Sequence, residues 1–130
     1  NYPSIKSLEY NSIGLRTCDM LSADKIVLRG NKISSVGQLL GCTHLDLSSN
    51  MFDCNASIAI KHLPESLNTL ILKDCGLDFH NWSLFLPNLS FLDISYNRVR
   101  FPDTFFPDMF DKCNRLSILK VNGMEIEYTE

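Results

Sequence analysis

The chain has 130 residues, of which 45% are hydrophobic and 21% charged, and its formal net charge is −3. This length fits one globular domain that buries a continuous core. Because the sequence has no cluster of basic residues that would neutralise several phosphates, we expect no nucleic acid partner. The apolar runs are far shorter than the roughly 20 residues that span a bilayer, so we expect no membrane span.

The five cysteines are an odd number, which leaves at least one thiol unpaired, and none of them has the close spacing of a zinc site. The sequence also contains none of the short motifs that mark common catalytic or nucleotide-binding sites. We therefore expect neither an enzyme nor a bound metal or cofactor. Because the chain begins with Asn1 rather than Met, we expect a mature protein or a piece of a longer one, either a monomer or part of a larger chain.

A pattern of eleven residues recurs along the chain. Positions 1, 4, 6 and 11 of the pattern are apolar, position 9 is polar or small, and the other positions vary. In chain order the copies begin at Ile5, Ala23, Cys42, Leu67, Leu89 and Leu116. The clearest copies are the three strings CTHLDLSSNMF, LNTLILKDCGL and LSFLDISYNRV. The first and last copies have Ile13 and Met124 at the polar position, and such degraded ends are typical of the terminal repeats of a stacked array.

The pattern resembles the signature LxxLxLxxN/CxL of the leucine-rich-repeat family, and the resemblance runs from Ile5 to Ile126. It implies an α/β fold, a right-handed solenoid arc of about six repeats with a concave parallel β-sheet and short helical or 3₁₀ returns on the convex side. We expect a single domain, residues 1–130, with repeats near 5–22, 23–41, 42–66, 67–88, 89–115 and 116–130, the last with a C-terminal cap. The resemblance also implies that Asn31, Asn50 and Asn97 turn inward to bind backbone groups, with Cys75 as the accepted small substitute.

The spacing of the repeats predicts the structure of the convex side. The central strand residues Leu8, Ile26, Leu45, Leu70, Leu92 and Leu119 are separated by 18, 19, 25, 22 and 27 residues. The short N-terminal repeats leave room only for extended or 3₁₀ returns, whereas the longer repeats accommodate a helical turn or more. In the longest return, residues 100–115, the density of aromatic residues predicts a packed helix that begins near Pro107 or Asp108.

Alternation along each strand predicts which side chains face away from the core. We interpret four apolar positions in the last repeats as the anchor of a partner-binding site: Ile71, Phe91, Ile118 and, at a strand exit, Tyr96. The charged ring around this anchor is expected to be Asp46, Lys73, Asp93 and Lys120, and Arg29 and His44 complete the candidate residues on the concave face. Two other interpretations stay open, namely that scattered exposed apolar residues need no explanation, or that a C-terminal flank covers them.

These positions predict a non-catalytic interaction module that binds another protein on its concave face. The alternative is an extracellular leucine-rich-repeat receptor, or a receptor-like fragment, that recognises a protein or microbial ligand. A lesser alternative is an accessory substrate-recognition domain of a larger enzyme.

The compartment follows from weaker signals. The paired-cysteine caps of extracellular family members are absent from both ends, and Cys42 and Cys75 take inward repeat positions, so we favour a cytoplasmic location. Three strings match the N-glycosylation acceptor, at Asn55, Asn81 and Asn88, although such short matches also arise by chance. The alternative is therefore an extracellular location with N-glycans at Asn55 or Asn81.

Overall fold

A computed structural model describes residues 5–18, 22–39 and 41–127 of the chain. The described segments form twelve short strands and two helices, and every strand pair is parallel. In chain order these elements are β1 (Ile5–Glu9), β2 (Thr17–Cys18), β3 (Ala23–Val27), β4 (Ser35–Val36), β5 (His44–Asp46), β6 (Cys54–Asn55), α1 (Ala56–Ala59), β7 (Thr69–Ile71), β8 (Leu77–Phe79), β9 (Phe91–Asp93), β10 (Arg98–Arg100), α2 (Pro102–Lys112), β11 (Ile118–Lys120) and β12 (Glu125–Glu127).

One strand from each repeat joins a six-stranded parallel sheet in the order β1-β3-β5-β7-β9-β11, which we call the main sheet. Its register is the one that the repeat predicts, because Asp46 pairs with Ile71 and Ile71 pairs with Asp93. The central leucines Leu45, Leu70 and Leu92 face the core and are fully buried. The predicted leucine-rich-repeat solenoid is therefore confirmed.

The side chains at the asparagine position join each repeat to the one before it. The amide of Asn97 accepts hydrogen bonds from the backbone N–H groups of Cys75 and Leu77, at 3.1 and 3.0 Å, and donates to the carbonyls of Leu72 and Ile94, at 2.7 and 2.9 Å. These contacts satisfy the buried amide on both its donor and its acceptor sides. The predicted inward role of Asn97 is thus confirmed.

The other members of this series bind the backbone in the same way. Asn50 accepts from the N–H of Ile33 at 3.0 Å and donates to the carbonyls of Leu28 and Leu47, both at 2.8 Å. Asn31 likewise binds backbone groups of the first repeat. The thiol of Cys75 donates to the carbonyl of Leu47 at 2.9 Å, so it replaces the donor half of the amide.

A second set of strands follows the asparagine turns, and the repeat pattern did not predict it. Four of these strands form a parallel sheet in the order β12-β10-β8-β6, and β2 pairs with β4. The segment that we expected to begin a C-terminal cap instead forms β12, which pairs with β10. Residues 128–130 of the expected cap lie outside the described part of the chain.

The longest return contains the helix that the sequence predicted, but the predicted start of this helix is wrong. Helix α2 begins at Pro102, directly after Phe101, which adopts a left-handed backbone conformation with φ of 53°, and Pro107 lies inside the helix. Pro102 occupies the first turn, where its missing N–H costs nothing. Pro107 removes one helical hydrogen bond, and the burial of Phe105 and Met109 on one helix face offsets that loss.

The aromatic residues of the returns form the convex-side core. The ring of Phe105 lies 5.4 Å from that of Phe79 and 6.2 Å from that of Trp82, measured between centroids, and all three are buried. Such tilted and edge-on contacts are the favoured geometries of aromatic pairs. Phe101 and Phe110, which belong to the same stretch of sequence, remain exposed.

We predict that Asn97→Ala lowers the free energy of unfolding by at least about 2 kcal/mol. The substitution leaves several buried backbone groups without a partner, and each such group costs about 1–3 kcal/mol. Urea unfolding followed by circular dichroism measures the change. The control is Asn122→Ala at an exposed position, which we expect to change stability by less than about 0.5 kcal/mol. Equal losses in the two variants would contradict the role given to the asparagine.

Candidate functional site on the outer face of the main sheet

The side chains of the main sheet that point away from the core form a surface that we call the outer face, and it is the face that the sequence analysis predicted to be concave. Strand pairing aligns them in columns, one of which runs Ser7, Lys25, His44, Thr69, Phe91 and Ile118. The adjacent column runs Glu9, Val27, Asp46, Ile71, Asp93 and Lys120. The structure therefore brings the candidate residues Ile71, Phe91 and Ile118 together on the last three strands.

Two members of the expected charged ring are not on the surface. Asp46 is 1% exposed and Asp93 is 9% exposed. Asp46 binds the guanidinium of Arg29 at 2.5 Å and the backbone N–H and hydroxyl of Ser48, whereas Asp93 accepts from the N–H of Ser95 at 2.9 Å. A buried carboxylate needs such partners. The expectation that both aspartates are free rim charges is thus corrected, because they stabilise the ends of strands.

The N-terminal part of the outer face is mainly polar. Arg29 follows β3, and its side chain pairs with Asp46 on β5, while Val27 at the end of β3 is buried. His44 is half-buried. Burial and the nearby Lys25 lower the pKa of His44 and outweigh the opposing effect of Asp46. Thr69 lies between His44 and Phe91 in their column, and Arg29 follows β3, so neither of these two candidates borders Phe91 or Ile118.

The C-terminal part of the outer face is open and contains aromatic rings beside lysines. The ammonium group of Lys73 lies 5.5 Å from the centre of the Tyr96 ring, and that of Lys120 lies 5.7 Å from the centre of the Phe91 ring. Tyr96 is 52% exposed and Ile118 is 49% exposed. We call this surface the C-terminal patch, and it consists of Ile71, Lys73, Phe91, Tyr96, Ile118 and Lys120.

Tyr96 occupies a backbone position that recurs in every repeat and that the sequence analysis missed. The residue directly before the asparagine position has a left-handed backbone conformation in each of the six repeats: Ser12, Gly30, Ser49, Asp74, Tyr96 and Gly123, with φ between 54° and 64°. Glycine and short polar residues tolerate this conformation, whereas a tyrosine rarely adopts it. A tyrosine in this column was therefore the signal in the sequence that marked an unusual surface residue.

The Tyr96 ring packs on the backbone of the next repeat. A Cβ atom added at Gly123 would lie only 2.3 Å from the ring carbon Cε1, so the ring fits only because position 123 has no side chain. The backbone N–H of Tyr96 also donates to the carbonyl of Asn122 at 2.9 Å. The positive φ of Tyr96 and this contact place one face of the exposed ring against Gly123.

Two curated relatives match the chain. Over a stretch of 64 residues it is 41% identical to "Toll-like receptor 9" of Mus musculus, and this stretch covers 48% of this chain and 6% of the relative. Over a stretch of 116 residues it is 33% identical to "Toll-like receptor 9" of Bos taurus, and this match covers 75% of this chain and 11% of the relative. These matches and the stacked parallel strands together support a leucine-rich-repeat fold for the chain.

The matched part of the chain spans 6% of the length of one relative and 11% of the length of the other. No family model matches the chain, and no solved structure matches it. The comparisons support the repeat architecture over most of the chain.

Within the described residues, no helix has both the length and the hydropathy that a bilayer crossing requires.

We predict that Gly123→Ala destabilises the protein more than Gly41→Ala does. Both glycines have a positive φ, but a Cβ at Gly41 meets no atom within 4 Å, whereas one at Gly123 meets the Tyr96 ring. Gly41→Ala measures the backbone strain alone, about 1–2 kcal/mol. Thermal unfolding of both variants gives the excess at Gly123.

The same substitution in a Tyr96→Ala background isolates the ring contact. We expect the excess cost of Gly123→Ala to disappear there, because the ring that the new Cβ meets has been removed. An excess that persists without the ring would show that the packing of Tyr96 on Gly123 is not its cause.

Proposed function

We propose that this chain is a ligand-binding segment of a leucine-rich-repeat receptor and that its C-terminal patch binds a protein ligand. The observation that carries the proposal is the contrast along one sheet. The N-terminal part is polar, with Arg29 and Asp46 paired, whereas Phe91, Tyr96 and Ile118 leave apolar surface open on the C-terminal part. Aromatic anchors with polar surroundings are typical of binding hot spots.

The relatives support a receptor more than a cytoplasmic scaffold. Both matching proteins carry the name Toll-like receptor 9. We therefore favour an extracellular location over the cytoplasmic location that the cysteine pattern suggested. The chain spans only a small part of either relative, so the ligand of the whole protein and its site are part of the proposal.

The charges on the patch favour a ligand that presents acidic side chains next to an apolar group. Lys73 and Lys120 are exposed, whereas the neighbouring carboxylate of Asp93 is buried. The C-terminal patch therefore has exposed positive charge although the chain as a whole has a net charge of −3. Opposite charge on the ligand would raise the association rate and fix its orientation. The apolar side chains beside the lysines would contribute most of the affinity.

The buried cysteines Cys42, Cys75 and Cys113 are compatible with an oxidising compartment because burial disfavours their reactive thiolate form. Burial raises the pKa of Cys42 to about 11 and that of Cys75 to about 12. Burial also raises the pKa values of Cys113 and Cys54, although Cys54 is only half-buried. Since the thiolate is the reactive species, buried protonated thiols resist oxidation. Inward cysteines therefore do not argue for the cytoplasm.

We predict that iodoacetamide at neutral pH modifies Cys54 well before Cys42, Cys75 or Cys113 in the folded protein. Cys54 is the most accessible of these four thiols, and alkylation requires an accessible thiolate. Peptide mapping by mass spectrometry at increasing reaction times measures each site. In urea the four sites should react at similar rates. Equally fast modification of Cys75 in the native protein would contradict its protection.

We predict that Phe91→Glu weakens ligand binding and that Ile58→Glu leaves it unchanged. Ile58 is the matched control because it is an exposed apolar residue, 65% accessible, on helix α1 rather than on the main sheet. The immobilised chain is used to capture a binding protein from extracellular fluid, and the purified ligand is titrated against both variants. Loss of a hot spot worth about 2 kcal/mol lowers the affinity about 30-fold.

A second pair of variants tests the charges. Lys120→Glu should weaken binding and reduce the association rate, whereas Lys61→Glu, at an exposed position outside the main sheet, should leave both unchanged. Circular dichroism checks that all four variants are folded.

If Phe91→Glu and Ile58→Glu bind the ligand equally well, the patch is not the binding site and the proposal is wrong.

A further inference from the structure

The three N-glycosylation acceptor strings differ in how the fold presents their amides. An acceptor requires an accessible asparagine Nδ2 followed, two residues later, by a serine or threonine hydroxyl. The fold places Asn55, Asn81 and Asn88 in three different settings: a helix cap, a loop and a turn between two repeats. These settings distinguish acceptors that the sequence treats as equal.

Asn81 has the most open setting. It follows β8 in a loop without regular secondary structure, and both Asn81 and Ser83 are exposed. Trp82 between them is buried, with its ring 6.0 Å from that of Phe79, and its indole N–H donates to the carbonyl of Leu84 at 2.8 Å. The buried indole fixes the loop, so the two residues that an acceptor needs both face solvent.

Asn88 is engaged with the preceding repeat. The side-chain Nδ2 of Asn88 donates to the backbone carbonyl of Glu65 at 3.1 Å, and the backbone carbonyl of Asn88 accepts from the side-chain Nδ2 of Asn68 at 3.4 Å. The hydroxyl of Ser90 also binds Asn68. Asn88 is itself exposed, so it differs from Asn81 in that its Nδ2 is already engaged by the carbonyl of Glu65 and not in being buried.

Asn55 has a structural role of its own at the start of α1. Its Oδ1 accepts from the backbone N–H and the hydroxyl of Ser57, at 2.9 and 2.7 Å, and it caps the helix. The residue is half-buried and belongs to β6. Its amide is therefore less accessible than that of Asn81.

We propose that Asn81 bears an N-linked glycan and that Asn88 does not. This inference rests on the proposed function, because the modification requires passage through the secretory pathway. The donor would be an oligosaccharide linked through a diphosphate to a polyisoprenyl lipid. Nδ2 of Asn81 forms a bond to C1 of the first sugar, the bond from C1 to the diphosphate oxygen breaks, the lipid diphosphate leaves, and the amide loses one proton.

The position of Asn81 keeps the glycan away from the proposed ligand. Asn81 follows β8, a strand of the second sheet, whereas Phe91 and Lys120 lie on the outer face of the main sheet. A glycan there would cover the loop that encloses the buried aromatic residues. It would leave the C-terminal patch free, so glycosylation and ligand binding are compatible on one chain.

The test expresses the full chain behind a secretory signal peptide in animal cells. Glycosidase treatment in heavy-oxygen water, followed by peptide mass spectrometry, reads the occupancy of each acceptor. We expect Asn81 to be occupied, the Asn81→Gln and Ser83→Ala variants to lose that glycan completely, and Ser83→Thr to retain it, because threonine also completes an acceptor. The matched control Ser90→Ala should leave the total glycan mass unchanged. An unmodified Asn81 in the secreted protein, or a glycan on Asn88, would overturn the inference.

The two proposals fail separately in this design. Because the signal peptide is supplied, occupancy at Asn81 does not depend on the chain being a receptor. Titration of the captured ligand against Asn81→Gln and Phe91→Glu then tests the patch alone. We expect unchanged affinity for Asn81→Gln; a loss of affinity in that variant would overturn the placement of the glycan away from the ligand.

Discussion

The fold depends on the buried amides that join consecutive repeats. Each short strand of the main sheet contributes few hydrogen bonds, and each turn after it leaves backbone groups that water cannot reach. Asn50 and Asn97 satisfy these groups in their own repeat and in the preceding one. Because a buried polar group without a partner is costly, these contacts fix both the spacing of the repeats and the position of the turn. Cys75 maintains only the donor half of the contact.

Regular stacking makes the outer face a set of columns, and the identity of a few side chains divides that face in two. Arg29 and Asp46 neutralise each other over the N-terminal strands. Over the C-terminal strands, Phe91 and Tyr96 stay accessible beside Lys120 and Lys73. A surface with ordered aromatic rings loses little conformational entropy when it binds a ligand, which is the physical basis for assigning the recognition role to this end.

The two proposals use different elements of the same repeats, the loop after β8 and the main sheet. The main sheet presents an open face to a ligand, while the returns enclose the aromatic residues Phe79, Trp82 and Phe105. The loop around Trp82 presents Asn81 to solvent, away from the C-terminal patch. Under these proposals, the glycan and the ligand would occupy separate surfaces of the segment. The buried thiols, whose pKa values are raised by burial, fit the same environment.

The sequence by itself determined the register of the main sheet, because the register follows from one apolar spacing repeated along the chain. The resemblance of that repeat to the leucine-rich-repeat signature implied the solenoid and the role of the asparagines. It also identified Ile71, Phe91 and Ile118 as neighbours, since strand alternation is local. It did not determine that Asp46 and Asp93 are buried, that α2 begins at Pro102, or that Tyr96 rests on Gly123. These features depend on contacts between residues from different repeats, where burial and hydrogen bonding outweigh local preference, and only the tertiary structure decided them.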